Sequence, residues 1–367
     1  MRIIYILNAR WPTVKAHGLQ VASMCDALVE LGCDVELIIP SRSAYPEDGY
    51  HQTHVPAVRL WSPDWVADDT IGKFLFWLQQ LLFACRARLF LIGYPGEVYT
   101  RDLITAGVLA ALGRPAYVEL HTAPSRWSFL HRWMLRTSRG VISITRGLAD
   151  RVREAGISVD NILVAPDGYD PSLFGRLPSQ AVARRQVHLP VDVPIALYAG
   201  HLYPWKGVDT LARAAPLFDG IVVFVGGTEA DVARMKAMYE TISNIMLVGH
   251  RPHGEIPTWL RAADVLVIPN TSAESISERY TSPLKLFEYM ASGTPIVASD
   301  LPSLREVLND ESALLVRPDD PAALARGLTM AVRDIEGSAR RIAHAAHDVT
   351  DHTWTHRAGA VISFIRS

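Results

Sequence analysis

The chain has 367 residues, of which 49% are hydrophobic and 20% are charged, and its formal net charge is −2. This length exceeds what one hydrophobic core usually serves, so we expect two domains. The near-neutral charge excludes a general attraction to nucleic acid, and we predict no nucleic-acid partner. The three cysteines, Cys25, Cys33 and Cys85, are odd in number and scattered. This pattern predicts reduced thiols in a cytoplasmic protein, without a disulfide framework or a zinc site.

Two apolar segments in the first third of the chain share features with targeting or membrane segments. The first, MRIIYIL, is too short for the apolar part of a signal peptide and is interpreted as a buried strand. The second, Ile71–Gly93, is interrupted by polar residues such as Lys73 and Arg86, so it lacks the roughly 20 uninterrupted apolar residues of a membrane span. Its periodicity predicts a packed amphipathic helix, and its basic and aromatic residues leave a helix on the membrane surface as the alternative.

Short β-branched segments alternate with segments of helical periodicity along the whole chain. Strands this apolar, separated by helices, predict parallel sheets that are covered on both faces. We therefore predict an α/β protein with two successive doubly wound domains. The predicted strands are RIIYIL, DVELIIP, AYVEL and GVISIT in the first half, and PIALYAG, GIVVFVGG, NIMLVG, ADVLVIP and TPIVAS in the second.

The domain boundaries are predicted from a change in composition near the middle of the chain. Pro, Gly and Asp cluster within Ala165–Gln180, which indicates a hinge. In open parallel sheets the ligand binds beyond the carboxyl ends of the strands, so two such sheets facing each other would form a cleft. The predicted parts are a first domain at 1–170, a linker at 171–192, a second domain at 193–349 and a C-terminal helix at 350–367.

The segment IALYAGHLYPWKGVDTLARA, residues 195–214, is the first candidate anion site. An apolar strand runs into Gly200, a short loop follows, and we predict that Lys206 and Gly207 lie in the first turn of the next helix. A cation at that position opposes the helix dipole. Lys206 is therefore either a tolerated surface residue or the partner of an anion.

A second helix start in the same domain follows the sequence YTSPLKLFEYMASG. We predict Ser282 as its N-cap and Pro283 as its first helical residue, which leaves free amides that could bind an anion. Glu288 would lie roughly 8 Å further along the axis, where a carboxylate can accept hydrogen bonds from two adjacent ribose hydroxyls. Diphosphate at the helix start and ribose on Glu288 describe a nucleoside diphosphate, although each feature alone also fits ordinary capping or a solvated side chain.

The first domain has its own candidate residues in loops that follow strands. The loop after the first strand contains His17 and Gly18, and Gly18 would let the backbone approach a ligand closely; a plain strand–loop–helix connection is the alternative. His121 follows another strand end and is either catalytic or structural. Arg101 follows a third, where it would bind an acceptor or form an ion pair with Asp102.

Four segments together resemble the retaining family-4 glycosyltransferases, which have the GT-B fold of two Rossmann-like domains facing a central cleft. The segments are GHLYPWKGVDTLARA, SPLKLFEYMASGTPIVASD, ITRGLADRV and VAPDGYDPSLF, and the resemblance extends over nearly the whole chain. It implies that the second domain binds a nucleotide-sugar donor and that the first binds a carbohydrate or lipid-linked acceptor. It also implies that the C-terminal helix crosses back to the first domain. The sequence has no metal-ligand spacing, so we predict no metal and no cofactor, the nucleoside diphosphate sugar being a substrate.

The resemblance also implies roles for individual residues. Lys206 matches the lysine that neutralises the donor diphosphate, and Gly18 matches the glycine whose amide meets the phosphate. Glu288 matches the glutamate that holds the ribose, and His121 matches the histidine near the reacting centre, so His121 and Lys206 are the predicted catalytic residues. The other predicted donor-binding residues are Gly200, His201, His250, Arg251, Ser282, Pro283 and Leu284, with the base near His250 and Arg251. The predicted acceptor-binding or supporting residues are His17, Arg101 and Lys285.

Two positions depart from the pattern of the family. His201 occupies the place of an arginine and is a weaker phosphate partner, because it cannot form the bidentate contacts of a guanidinium. Tyr280 occupies the place of the first of two glutamates, which contacts hydroxyls of the donor sugar. The sequence therefore does not identify the sugar.

We predict that the chain transfers a hexosyl unit to an acceptor hydroxyl with retention, in polysaccharide or glycoconjugate synthesis. The alternatives are a nucleotide-sugar-binding subunit without catalysis and a sugar-nucleotide epimerase on the same scaffold. The loops Ser41–His54 and Pro63–Gly72 are predicted to shape the acceptor site. The predicted location is the cytoplasm, with peripheral contact with the inner membrane surface as a further option.

Overall fold

The structure, a computed structural model, describes residues 1–13, 15–42, 53–65 and 70–367. It divides the chain into two compact units. The first consists of Met1–Asp167 together with Trp354–Ser367, and the second consists of Gly168–Thr353. The loops predicted to shape an acceptor site fall largely on 43–52 and 66–69, which lie outside the described residues.

The first unit is built on a parallel sheet in which seven strands are described. They are β1 (Arg2–Ile6), β2 (Asp34–Ser41), β3 (Ala57–Trp61), β4 (Glu97–Thr100), β5 (Tyr117–Leu120), β6 (Gly140–Ser143) and β7 (Ile162–Val164). Their order in the sheet is β3-β2-β1-β4-β5-β6-β7, with every pairing parallel. The order reverses between β1 and β4, so the loops after these two strands diverge. The gap between these loops is the usual position of a ligand crevice.

Helices cover this sheet because its central strands are apolar on both faces. The described helices before the domain boundary are α1 (Ala16–Glu30), α2 (Thr70–Phe90), α3 (Leu103–Ala111), α4 (Phe129–Arg136) and α5 (Arg146–Glu154). Ile4 and Ile6 of β1 are fully buried against Phe83 and Ala87 of α2. The periodicity that predicted a packed helix in this segment is thus confirmed, and in the described part of the chain no helix combines the length and the apolarity of a membrane span.

The second unit repeats this plan with six described parallel strands. They are β8 (Ile195–Ala199), β9 (Ile221–Val225), β10 (Ile245–Gly249), β11 (Val265–Ile268), β12 (Ile296–Ser299) and β13 (Leu314–Val316). Their order is β10-β9-β8-β11-β12-β13, and every pairing is parallel. Here the order reverses between β8 and β11. The prediction of two doubly wound parallel-sheet domains is confirmed.

Residues 171–192, predicted as a linker, are built into the second unit. Helix α6 (Gln180–Gln186) lies in this segment and packs on α9 (Ile256–Ala262). The buried Arg184 guanidinium donates to the Ala262 carbonyl (2.9 Å) and forms an ion pair with Asp264. The Pro- and Gly-rich composition predicted a linker. In the structure, buried polar contacts tie this segment to the second unit. The remaining helices of this unit are α7 (Val208–Ala214), α8 (Glu229–Met238), α9 (Ile256–Ala262), α10 (Leu284–Ala291), α11 (Pro302–Arg305), α12 (Pro321–Arg333) and α13 (Ile335–Asp348).

The C-terminal helix α14 (Trp354–Arg366) belongs to the first unit. It packs on α1, where the Thr355 hydroxyl donates to Glu30 (3.1 Å). At its other end the Tyr117 hydroxyl donates to the Ile365 carbonyl (3.1 Å). The chain thus returns to the first unit after completing the second, and α14 brings one further charged side chain, Arg357, into the interior of the first unit.

Candidate functional site

The loop after β8 brings Lys206 to the point where the strand order of the second sheet reverses. Lys206 ends a 3₁₀ turn, Pro204–Lys206, and helix α7 begins only at Val208. The prediction that Lys206 lies in the first turn of this helix is therefore wrong. The reason is Gly207, which has φ 72° and separates the turn from the helix; a Cβ there would lie 1.8 Å from the Pro269 carbonyl oxygen. The loops after β8 and β11 thus meet at a position that only glycine fits.

The Lys206 ammonium contacts the last ring in a stack of three aromatic side chains. His201 stacks on Tyr203 with ring centroids 5.1 Å apart, and Tyr203 stacks on Trp205 at 6.4 Å. The Lys206 Nζ lies 3.8 Å from the centroid of the Trp205 ring, a cation–π contact. Burial lowers the pKa of Lys206 to about 7. A nearby anion would favour the charged form and raise this pKa.

The start of α10 differs by one residue from the predicted one. Pro283 is extended (φ −74°, ψ 122°) and is the N-cap, so the first helical residue is Leu284. The prediction of Ser282 as N-cap is wrong, and Pro283 makes no side-chain cap hydrogen bond. Because the first amides of a helix have no partner within it, the amides of Leu284 and Lys285 are left for another acceptor.

Glu288 lies five residues into α10 and is largely buried. Its Oε1 is 2.6 Å from Nε2 of His253, which precedes α9. Burial acts to lower the pKa of His253, but the hydrogen bond and the charge of Glu288 raise it above its ordinary value. His253 therefore orients Glu288. Sequence reasoning missed it, although it is only three residues from the predicted His250.

Lys285, predicted as an acceptor-side or supporting residue, lies in the second unit beneath the end of β8. Its Nζ is 3.5 Å from the ring centroid of Tyr198 and has no hydrogen-bond partner among the described residues. Burial, together with the charge of Lys206, lowers the pKa of Lys285 well below its ordinary range. The charge of Lys206 thus disfavours the ammonium form of Lys285.

The remaining predicted donor-binding residues lie along the same edge of the second sheet. Gly200 follows β8 directly, and its amide donates to the Val225 carbonyl at the end of β9 (2.8 Å). His250 and Arg251 are exposed after β10, the edge strand two positions from β8. Arg251 donates to the His250 carbonyl (3.0 Å) and its guanidinium lies 5.9 Å from the ring of Trp259. Their contact with a base stays a prediction.

In the first unit, a buried carboxylate organises the residues that follow β1, β4 and β5. Glu119 is fully buried in β5 and accepts hydrogen bonds from Gln20 (2.6 Å), Tyr99 and His121. Its Oε2 is 3.0 Å from the Arg357 guanidinium of α14. Burial acts to raise the pKa of Glu119, but the charge of Arg357 and the hydrogen bond from His121 hold it at about 2. Glu119 is therefore ionised at neutral pH.

The predicted catalytic histidine His121 is held by this carboxylate. Burial and the charge of Arg101 lower the pKa of His121 to about 4, against the opposing effect of Glu119. The imidazole is therefore neutral at pH 7, with Nε2 directed at Glu119. Its contact with reacting atoms stays a prediction.

Arg101 and His17 join the same cluster. Arg101 donates to the His17 carbonyl (3.2 Å) and its Nε is 4.0 Å from Glu119. The alternative of an ion pair with Asp102 is wrong, because Asp102 caps α3 by accepting the amides of its first turn. Burial and Arg101 lower the pKa of His17 to about 4, and its Nε2 has no hydrogen-bond partner among the residues described.

Gly18 has a steric role in this structure. It lies inside α1, which begins at Ala16, and its amide donates to the Lys15 carbonyl (2.8 Å). A Cβ on Gly18 would lie 2.6 Å from the Thr13 carbonyl oxygen, so only glycine lets the preceding loop pack on the helix. The amide predicted to meet a phosphate is thus already paired within the turn.

The described residues contain no group of three or more His, Cys, Asp or Glu side chains that could hold a metal ion.

Two family descriptions match the two halves of the chain. The description "Glycosyl transferase 4-like domain" matches residues 17–168, and "Glycosyl transferases group 1" matches residues 193–334. The curated relatives include a D-inositol 3-phosphate glycosyltransferase of Xylanimonas cellulosilytica, which is 33% identical over 245 residues. That alignment covers 62% of this chain and 57% of the relative, so the chain spans about half the length of the curated relatives it matches.

Solved structures extend the likeness of fold to the whole chain. Sucrose-phosphate synthase from Thermosynechococcus elongatus has a TM-score of 0.80 at 21% identity, over 100% of this chain and 98% of that one. Anabaena HepE in complex with UDP and glucose has a TM-score of 0.79 at 16% identity, over 100% and 99%. The two parallel-sheet units and these neighbours give the GT-B fold. Residues 193–334 therefore belong to the glycosyl transferases group 1, and residues 17–168 to the glycosyl transferase 4-like domains.

Proposed function

We propose that the chain is a retaining glycosyltransferase that moves a hexosyl unit from a nucleoside diphosphate sugar to an acceptor hydroxyl. The second unit binds the donor, and the first unit binds a carbohydrate or lipid-linked acceptor. We place the reaction in the cytoplasm, in polysaccharide or glycoconjugate synthesis. Membership of the family supports the class of reaction; retention, pathway and location are our inference.

In this proposal Lys206 carries the main catalytic effect. The bond between the anomeric carbon and the phosphate oxygen breaks, and negative charge develops on the leaving diphosphate. Lys206 and the free amides at the start of α10 stabilise that charge. The acceptor oxygen forms its bond to the same face of the anomeric carbon, and its proton passes to the departing phosphate oxygen.

One observation carries the proposal for the second unit. The half-buried ammonium of Lys206, the uncapped start of α10 and the oriented carboxylate of Glu288 belong to loops and a helix beyond the carboxyl edge of one sheet. A diphosphate needs cations and amides, and a ribose needs a hydrogen-bond acceptor. HepE, whose solved structure contains UDP and glucose, supports UDP as the first nucleotide to test.

The proposal is tested by thermal-shift measurements with UDP, GDP and ADP and with their glucose derivatives, since a ligand stabilises the folded form that binds it. The nucleotide that stabilises the protein is then used, as its sugar derivative, in an assay of transfer and of slow donor hydrolysis. Transfer or hydrolysis with retained anomeric configuration supports the proposal. Interconversion of the donor sugar would identify an epimerase, and binding without turnover would identify a non-catalytic subunit; both contradict it.

Glu288→Gln should weaken nucleoside diphosphate binding by about 10-fold or more, because hydrogen bonds to a charged group contribute about 1.5–3 kcal/mol. The loss should be larger for ligands with both ribose hydroxyls than for the 2′-deoxy nucleotide, which keeps only the 3′-hydroxyl. Isothermal calorimetry with both nucleotides measures this. Glu255→Gln, an exposed glutamate just before α9, is the matched control. Equal losses for ribose and deoxyribose ligands would contradict the ribose assignment.

We further propose that α2 lies against an anionic membrane surface. Exposed apolar side chains recur at spacings of three and four along one face of the helix, at Phe74, Trp77 and Leu81, and Leu89 continues the face. Such a stripe is the pattern of an interfacial helix. The exposed Arg86, whose guanidinium lies over the ring of Trp61 at 4.5 Å, supplies positive charge for anionic headgroups.

Replacing Phe74, Trp77 and Leu81 together with serine should reduce sedimentation with vesicles of phosphatidylglycerol and phosphatidylethanolamine by about 10-fold or more, since the three side chains lose their burial in the bilayer interface. Thermal stability should be unchanged, because these side chains are exposed. Met330→Ser, an exposed apolar residue of the second unit, is the control. Wild-type protein that stays in the supernatant, or a triple variant that sediments normally, would contradict membrane contact.

A further inference from the structure

Lys285 is a buried amine for which the described residues provide no partner. Its side chain is nine-tenths buried, with 9% of the residue exposed. The Nζ makes no hydrogen bond or ion pair with any described residue and rests on the face of the Tyr198 ring. A buried charge is normally paired, because leaving it unpaired is unfavourable. The position therefore lacks an anion.

The ammonium lies at the loop that carries Lys206. The Nζ is 3.4 Å from the position that a Cβ on Gly200 would occupy, at the carboxyl end of β8. Lys206 lies on the loop that begins at Gly200, and its charge contributes to the lowered pKa of Lys285. Glu288 attracts Lys285 from the same helix, but its Oε1 is engaged by His253. An anion that contacts both lysines would remove their repulsion.

We propose that Lys285 is a second cationic contact of the donor pyrophosphate and supplies the charge that an arginine at position 201 would otherwise provide. The inference rests on the proposed function of the second unit and makes it more specific. A sugar diphosphate carries one negative charge on each of its two phosphates, which matches two ammonium groups. His201, whose ring is stacked flat on Tyr203, offers no guanidinium, and Lys285 reaches the same strand end from α10.

The arrangement also explains why Lys285 belongs with the donor rather than with the acceptor. It lies in the first turn of α10, where the unpaired amides already attract an anion. A lysine at this position opposes the helix dipole while the site is empty. A bound pyrophosphate supplies negative charge at the start of α10. Both the unpaired amides and the Lys285 ammonium then interact favourably with that charge.

The test compares wild type with Lys285→Met, which keeps the length of the side chain and removes the charge. Calorimetry is carried out with inorganic pyrophosphate and with UDP, UMP and uridine, or the corresponding series if the screen selects another base. We expect affinity for the diphosphate and for pyrophosphate to fall about 10- to 100-fold, and affinity for the nucleoside to change less than about 3-fold. Lys236→Met, an exposed lysine on α8, should behave as wild type.

Two readouts separate a binding role from a structural one. The ligand-free variant should unfold at the same or a higher temperature than wild type, because a buried amine without a hydrogen-bond partner is replaced by an apolar side chain. Calorimetry in two buffers of different ionisation enthalpy should show fewer protons taken up on binding by the variant. The titratable groups that act on Lys285 or contact it are Lys206, Glu288 and Tyr198, and all three remain in both proteins.

The outcomes distinguish this inference from the proposed function. An equal loss of affinity for diphosphate and nucleoside, or unchanged affinity for the diphosphate, overturns the role of Lys285 and leaves the proposed function intact. Lys285-dependent binding of pyrophosphate without binding of any nucleotide supports the anion site and overturns the proposed function. A wild-type protein that binds neither overturns both.

Discussion

Arg357→Met should destabilise the first unit by about 3–5 kcal/mol, the usual cost of removing one partner of a buried ion pair. The Glu119 carboxylate is completely buried, and the Arg357 guanidinium 3.0 Å away is its closest permanent cation. Arg357 also donates its Nε–H to the Pro166 carbonyl (3.0 Å), just before the chain enters the second unit. The variant leaves Glu119 charged and dependent on Arg101, whose Nε is 4.0 Å away. Urea denaturation followed by circular dichroism measures the loss.

Two comparisons show whether the ion pair is the cause. Arg366→Met, an exposed change on the same helix, should alter stability by less than about 0.5 kcal/mol. Adding Glu119→Gln to Arg357→Met should recover part of the lost stability, because the unpaired charge is removed as well. A double variant less stable than Arg357→Met alone would contradict the assignment.

The effect of Arg357 should also depend on pH in a defined direction. The pKa of Glu119 in the folded protein is about 2, below its ordinary value of 4.5. A carboxyl group of this kind stabilises the fold fully above pH 4.5, and the contribution is lost as the pH falls towards 2. The difference in stability between wild type and Arg357→Met should therefore be largest above pH 4.5 and should shrink below it. A difference that grows on acidification would contradict this account.

The strands that the sequence predicted are those with neighbours on both sides except β4, together with the edge strand β10. The four-residue β4 is indicated only as the strand end before Arg101. Strands such as β1 and β8 are buried on both faces, so each is a continuous apolar run. Three strands at sheet edges, β3, β7 and β13, were not identified. Two of them have only three residues, and β3 alternates between exposed and half-buried positions. An edge strand packs against one neighbour only, so its composition need not be apolar.

The sequence predicts individual residues of the candidate site, but it does not predict the residues that contact them. Lys206 and Glu288 stand in recognisable local segments of sequence. His253, which orients Glu288, is 35 residues away from it, and Arg357 reaches Glu119 from the far end of the chain. Such pairs depend on the packing of separate elements, and no local pattern encodes them. The sequence predicts Lys285 as a site residue, but only its burial shows that it lacks a hydrogen-bond partner among the described residues.

Lys206→Ala should lower turnover at least about 100-fold while leaving the fold intact, if Lys206 stabilises the leaving diphosphate. Removing one group that stabilises charge in a transition state typically costs 100- to 1,000-fold in rate. The fold should survive because the Lys206 side chain is half-buried, rests on Trp205 and sits in a loop outside the sheet. Steady-state kinetics with the donor identified in the screen, and circular dichroism, measure the two effects. Lys236→Ala, an exposed lysine of the same unit, is the matched control.

The pH dependence of donor binding tests the same role without catalysis. The pKa of Lys206 is about 7 in the free protein, because the group is partly buried. Bound pyrophosphate favours the ammonium form and raises that pKa, so affinity should fall as the pH rises above about 7, by up to tenfold per unit. A sugar diphosphate has no phosphate group that titrates near neutrality, so the ligand does not contribute to the change. Lys206→Arg keeps its charge throughout this range and should bind the donor with a weaker dependence on pH. Turnover close to normal in Lys206→Ala, or an identical pH dependence in Lys206→Arg, would show that this ammonium group does not contact the diphosphate.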